Sequence, residues 1–329
     1  MQTIIVGRDY AAQDTLANLI REEMKRGQGG VVITTGDRLI ESAVHSWKET
    51  QHAQRWEKFH WIELEYGAPF SFPVNLLQTP KALMEVWRSL GLPGYLEFQE
   101  AVFWFTHREE TATIFKLNDY FLLQRVKENR RASLPEWVIG EAISLLGPLK
   151  AQVGQKENRV TMKRWLEEGH WVFFDVKQLE PKLQAFMAEY VAVLYENERD
   201  GQSVFVVNGI PPSVRIQQFE NLFGAFPDVD ELENWIRDNR ERRFTIFSTT
   251  AEEAKRLNDL KMVAMNTDTA SLKPRECIQT GRTGDRRTFV SPRSNPSVSA
   301  SLKHQIQEKD GLPRERILSW LYEQQEAGW

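Results

Sequence analysis

Apolar positions recur along this chain in two rhythms that trade places. Short runs that are apolar at nearly every residue and rich in β-branched side chains read as strands buried on both faces. They are Thr3 to Val6, Gly30 to Thr35, Phe59 to Leu64, His170 to Asp175, Val204 to Val207 and Phe244 to Ser248, with a weaker one at Met262 to Asn266. Between them lie stretches with helical spacing, at Leu16 to Lys25, Leu39 to Trp47, Pro181 to Asn197 and Ala251 to Asp259. Pro181 stands at a helix start, where its missing N–H costs nothing. Strands alternating with helices predict an α/β fold with a mostly parallel sheet flanked by helices.

From about Pro80 to Glu168 the strand signals stop and helical periodicity takes over. The segments Lys81–Leu90, Tyr95–His107, Thr111–Lys127, Leu134–Leu146 and Val160–Glu168 are separated by Gly91-Leu92-Pro93-Gly94, the basic Lys127–Arg131 and Gly147-Pro148. This block reads as a helical insertion. The expected organisation is an α/β core formed by residues 1–80 and 169–275, a helical insertion at 81–168 and a C-terminal extension at 276–329. Lys273 to Ser301, rich in Arg, Ser, Pro and Gly, reads as loop with a short hairpin, and Arg314 to Glu326 as a last helix. Phe103, Trp104 and Phe105 stand side by side and cannot all face one core, so part of that helix surface is expected to meet another subunit.

The composition narrows the class. A chain of 329 residues, 41% hydrophobic and 27% charged, is an ordinary globular protein with room for a substantial core. Its net charge of −4 supplies no global field for nucleic acid. The single cysteine, Cys277, excludes an intrachain disulfide, fits a reducing cytoplasm and reads as a buried strand residue. No apolar run is long enough to span a bilayer and no secretory leader is visible, so the expected location is the cytoplasm. The six histidines show no metal-ligand spacing.

The chemistry of interest lies at the first strand–loop–helix. A phosphate-binding loop occupies such a place, reading G-x-x-x-x-G-K-[ST]; its backbone N–H groups cradle phosphate, its lysine reaches the β/γ-phosphates and its hydroxyl holds Mg²⁺. Counted from Gly7 through Arg8, the later positions here are Ala12, Gln13 and Asp14, followed by Thr15. The lysine charge is missing and a carboxylate stands where a metal-ligating hydroxyl belongs. A second NTPase signature is a strand ending in Asp-Glu, which orients Mg²⁺ and activates the attacking water. The matching strand, Val204 to Val207, runs into Asn208 and Gly209, so both acidic roles are empty. The strand ending in Asp175 is followed by Val176 rather than by an acid.

The order of elements resembles the ATPase domain of the TraG/TraD-type coupling proteins of conjugation and type IV secretion, relatives of the HerA and FtsK translocases. Ile4-Ile5-Val6-Gly7 is similar to their strand into the phosphate loop, and Gly29 to Ile40 to their apolar strand running into D-p-K-G-D-l. Phe70 to Leu77 is similar to their f-N-P-l turn, and Arg240 to Thr250 to a strand ending near a sensing glutamine. The resemblance covers most of the chain and implies a RecA-like fold. The departures fall on the catalytic positions, and the membrane helices of full coupling proteins have no counterpart.

A pseudo-ATPase follows as the expectation. Gly7, Arg8, Ala12, Gln13, Asp14, Thr15 and Asn208 would be a vestigial nucleotide pocket with no cofactor, any residual ATP·Mg²⁺ binding being weakened by Asp14. Its partners would be further subunits, including an active ATPase, and DNA through Arg282, Arg286, Arg287 and Arg293. The competing reading of those arginines is a solvated loop. Two other classes stay open: a working NTPase or translocase with a cation supplied from elsewhere, Arg8 being nearest, and an enzyme on an unrelated doubly wound sheet.

Overall fold

A computed structural model describes residues 2–7, 10–50, 56–64, 68–70, 75–109, 112–126, 134–149, 162–198, 201–226, 229–230, 232–238, 244–259, 276–281, 284–289, 297–316 and 319. Two compact units emerge. One comprises Met1–Phe59, Trp165–Phe173 and Arg199–Leu302; the other comprises His60–Arg164, Phe174–Glu198 and Lys303–Trp329.

The elements begin with β1 (Gln2–Val6), α1 (Tyr10–Lys25), β2 (Gly30–Thr34), α2 (Asp37–Glu49) and β3 (Phe59–Glu63). A helical series follows: α3 (Pro80–Ser89), α4 (Tyr95–Arg108), α5 (Ile114–Val126), α6 (Glu136–Leu149) and α7 (Met162–Glu167). Then come β4 (Trp171–Asp175), α8 (Pro181–Glu198), β5 (Val204–Asn208), α9 (Val214–Gln217), β6 (Leu222–Phe226) and α10 (Glu233–Asp238). The last are β7 (Phe244–Ser248), α11 (Ala251–Asp259), the hairpin β8 (Glu276–Gly281) and β9 (Gly284–Phe289), and α12 (Ala300–Glu308). The strand expected at Met262 to Asn266 lies outside the described residues, as does most of the helix expected from Arg314.

The sheet runs β3-β4-β2-β5-β6-β1-β7-β8-β9. β1 lies parallel between β6 and β7, with Ile4 opposite Gly224 and Ile246, and β5 lies parallel to β2 and β6. The hairpin closes one end antiparallel. The fold is α/β with a mostly parallel sheet, as the apolar runs predict.

In the first unit every residue of β1, β2, β5 and β6 is buried, which requires helices over both faces. α1 buries Ala12, Leu16, Ile20 and Met24, a stripe at four-residue spacing. Gly30 has no room for a side chain, because a Cβ there would stand 2.7 Å from the ring of Trp171, whose Nε1 donates to Gln28 O at 2.7 Å. Cys277 is fully buried on β8.

The second unit contains α3 to α6 and the start of α7, together with most of β3, α8 and the chain from Lys303. Trp87 stacks on Phe98 at 3.7 Å between ring centroids and donates through Nε1 to Pro93 O. Phe98 in turn stacks on Phe121. On α4, Phe105 is buried while Phe103 and Trp104 are 57% and 42% exposed, so the three neighbours do divide between core and surface. The C-terminal chain is tied in by Lys303 to Glu63 at 2.7 Å, His60 Nδ1 to Asp310 Oδ2 at 2.8 Å and a β-bridge between Phe70 and Pro313. No helix among the described residues is long and apolar enough to cross a membrane.

Candidate functional site

Topology selects one place in the first unit. The connection leaving β1 runs to β2 on one side, while the connection leaving β6, its neighbour, crosses β1 to reach β7 on the other. Open α/β sheets bind ligands at such a reversal, outside the carboxyl ends of the strands. Gly7, Ala12 to Thr15 and Asn208, all singled out in the sequence, flank this place.

The exit from β1 is pinned on both sides. Gly7 adopts φ +146°, and its N–H donates to Phe226 O at 3.0 Å. Val6 O accepts from the backbone N–H of Thr249 at 3.0 Å and from its hydroxyl at 3.2 Å. The first N–H of the would-be phosphate cradle is thus turned into the sheet. Arg8 lies outside the described residues.

α1 begins at Tyr10, three residues beyond Gly7. Ala12, Gln13, Asp14 and Thr15 therefore occupy its first two turns instead of a loop around an anion. Ala12 is buried, and the Thr15 hydroxyl donates to Ala11 O at 2.7 Å, one turn back. Gln13 is half-buried, and its Oε1 has no hydrogen-bond partner among the described residues.

Asp14 is fully buried and ionically paired. Arg38, in the first turn of α2, sends Nη2 to 3.0 Å from Asp14 Oδ1. The two side chains are 17% and 1% exposed. The guanidinium also lies over the Tyr10 ring, 4.4 Å from its centroid, a cation–π contact that fixes its plane. A cation does stand beside the first helix, then, but it arrives from the first turn of α2. No local signal in the sequence picks out Arg38; it stands at the start of an amphipathic helix like many solvated arginines.

The ends of β2 and β5 close on each other. Asn208 Nδ2 donates to Thr34 Oγ1 at 2.8 Å, and the same oxygen accepts from Gly36 N–H at 2.9 Å. Thr35 N–H donates to Asn208 O at 3.2 Å. Gly209 follows at φ +73°. The carboxamide at the position of a metal-orienting acid is thereby held by a neighbouring strand. Asp175, the other strand-end carboxylate, accepts from Lys177 N–H at 3.2 Å in a local turn.

The remaining candidates are not gathered here. Arg286 and Arg287 lie on β9 opposite Gln279 and Ile278, and Arg282 and Arg293 fall outside the described residues. Thr250, at the position of the sensing glutamine, accepts from Glu253 N–H at 3.2 Å as a helix cap on α11.

No protein-family model and no curated protein sequence matches this chain. Its coordinates superpose on the structure of VirB4 of Thermoanaerobacter pseudethanolicus with a TM-score of 0.53 and 14% identity, over 89% of each chain. The chain shares the α/β fold of that VirB4 structure.

Proposed function

We propose that this chain is a non-hydrolysing relative of DNA-translocating ATPases, acting as an assembly or regulatory subunit of a DNA-transfer or secretion complex. The observation that carries this reading is the Arg38–Asp14 pair. Phosphoryl transfer depends on cations aimed at the phosphates and on acids that hold Mg²⁺ and water. Here the Arg38 guanidinium beside α1 faces a resident carboxylate, and the strand-end position of the acid is a carboxamide bonded to Thr34. The fold shared with VirB4 and the ordered resemblance to TraG/TraD-type proteins support a place among the components of such machines. DNA, met through Arg282, Arg286, Arg287 and Arg293, and an active ATPase subunit are the partners this role calls for.

Titration of the purified chain with ATP and Mg²⁺, alongside phosphate release, tests the reading: it expects neither saturable binding nor turnover. Copurification then identifies the complex. One observation favours a second reading. Arg38 is a cation supplied from elsewhere in the chain, so a working NTPase in which it replaces the loop lysine would lose turnover in Arg38→Ala.

A further inference from the structure

Arg38 is an unusual group to bury. Its guanidinium offers five donors in a planar fork, a shape that matches two oxygens of a carboxylate or phosphate. Tyr10 holds that plane from one face. Asp14 takes one contact through Oδ1, whereas the buried Nε has no hydrogen-bond partner among the described residues. The guanidinium therefore retains donor capacity directed into the protein. The amides of Gln13 and Asn208 both approach Gly36, where an added Cβ would stand 3.9 Å from Gln13 Nε2 and 3.4 Å from Asn208 Nδ2. The two neutral amides thus meet at Gly36 in the β2–α2 turn, and Arg38 follows two residues later in the first turn of α2, next to the sheet's topological reversal.

We propose that these groups form a latched oxyanion site whose occupant is the protein's own Asp14 carboxylate. It would accept a diphosphate or the polyphosphate tail of a nucleotide only when the charge on Asp14 is removed. The proposal rests on the reading above that the intact chain does not use nucleotide, and adds the reason: an internal anion holds the place of the external one. A carboxylate fixed on α1 needs no association entropy to reach Arg38, so a dissolved anion competes at a disadvantage. A like charge beside an incoming phosphate adds repulsion. Neutralising Asp14 reverses both effects, because the buried cation is left without its counter-ion and any anion that reaches it stabilises the fold.

The test is inorganic pyrophosphate added to the wild-type chain, Asp14→Asn and the double variant Asp14→Asn/Arg38→Met, followed by thermal unfolding and calorimetry against sodium chloride at equal ionic strength. Asp14→Asn should unfold at a lower temperature than wild type and regain the difference in pyrophosphate, with affinity roughly a hundredfold above wild type. The double variant should show no such recovery. If Asp14→Asn does not fold alone, its refolding yield with and without pyrophosphate gives the same comparison. Recovery in the double variant, or no response of Asp14→Asn while wild type stays silent, overturns the latch and leaves the non-hydrolysing reading standing. Mg²⁺-dependent ATP turnover by wild type overturns that reading itself.

Discussion

The hydroxyl of Thr35 occupies the space that any side chain at Gly209 would need: a Cβ built on Gly209 would stand 2.3 Å from Thr35 Oγ1. Gly209 also holds φ +73°, where L-residues are strained. Gly209→Ala should therefore cost about 2–3 kcal/mol, about 1 of it from the backbone. Urea denaturation checks the value. Adding Thr35→Ala should recover the steric part and leave the backbone part, whereas full recovery would show that the dihedral carries no strain.

Removing one member of the Arg38–Asp14 pair leaves the other buried and uncompensated. Arg38→Ala should destabilise by about 3 kcal/mol. The double variant Asp14→Ala/Arg38→Ala should lose clearly less than the sum of the single losses. Additive losses in denaturant titrations would mean that the two side chains are not coupled.

Thr34 Oγ1 accepts from both Asn208 Nδ2 and Gly36 N–H. Thr34→Val keeps the shape and strips both donors of their acceptor, at about 2 kcal/mol. The measurement is the shift in denaturation midpoint with the slope unchanged. Asn208→Asp restores an acid at the strand end but leaves α1 starting at Tyr10 and Asp14 in place. Phosphate release by this variant should stay at background.

His60 gives the protein an acid-sensitive element. Burial is the largest influence on its pKa and holds it below the ordinary 6.5; the hydrogen bond to Asp310 opposes this, and the charge on Lys309 adds to it. His45 is lowered too, mainly by its partial burial. Below about pH 6.5 the unfolded chain binds protons that the folded chain resists, so unfolding becomes easier as pH falls toward the folded value. Above pH 6.5 the contribution is complete. Unfolding midpoints taken from about pH 7.5 down to about 5.5 should fall, and His60→Asn should flatten part of the decline. An unchanged slope in the variant would assign the pH response elsewhere.

What the chain discloses before folding depends on how local the cause is. β1, β2, β4 and β5 are apolar at almost every residue because both faces are covered, and that signature is visible in a few residues. β6 is not visible. Its Leu222-Phe223-Gly224-Ala225-Phe226 contains a glycine where the Phe226 ring closes over the backbone, 2.4 Å from an added Cβ. A strand that fills its own face this way reads as a turn, and its absence hides the neighbour that makes β1 a reversal point. α12 is also missed, since its polar residues follow a stretch rich in Arg, Ser, Pro and Gly. At the site, the missing lysine and acids are legible by counting from Gly7. The arginine that answers Asp14 is not, because 24 residues separate the two and only the packing of α1 beside α2 joins them.

The most direct test of the account is a calorimetric titration of the wild-type chain with ATP in the presence of Mg²⁺. The account predicts no saturable heat, because Asp14 already neutralises Arg38 and Gly7 N–H is bonded to Phe226. Magnesium-dependent binding, with turnover that Arg8→Ala or Arg38→Ala abolishes, would contradict it.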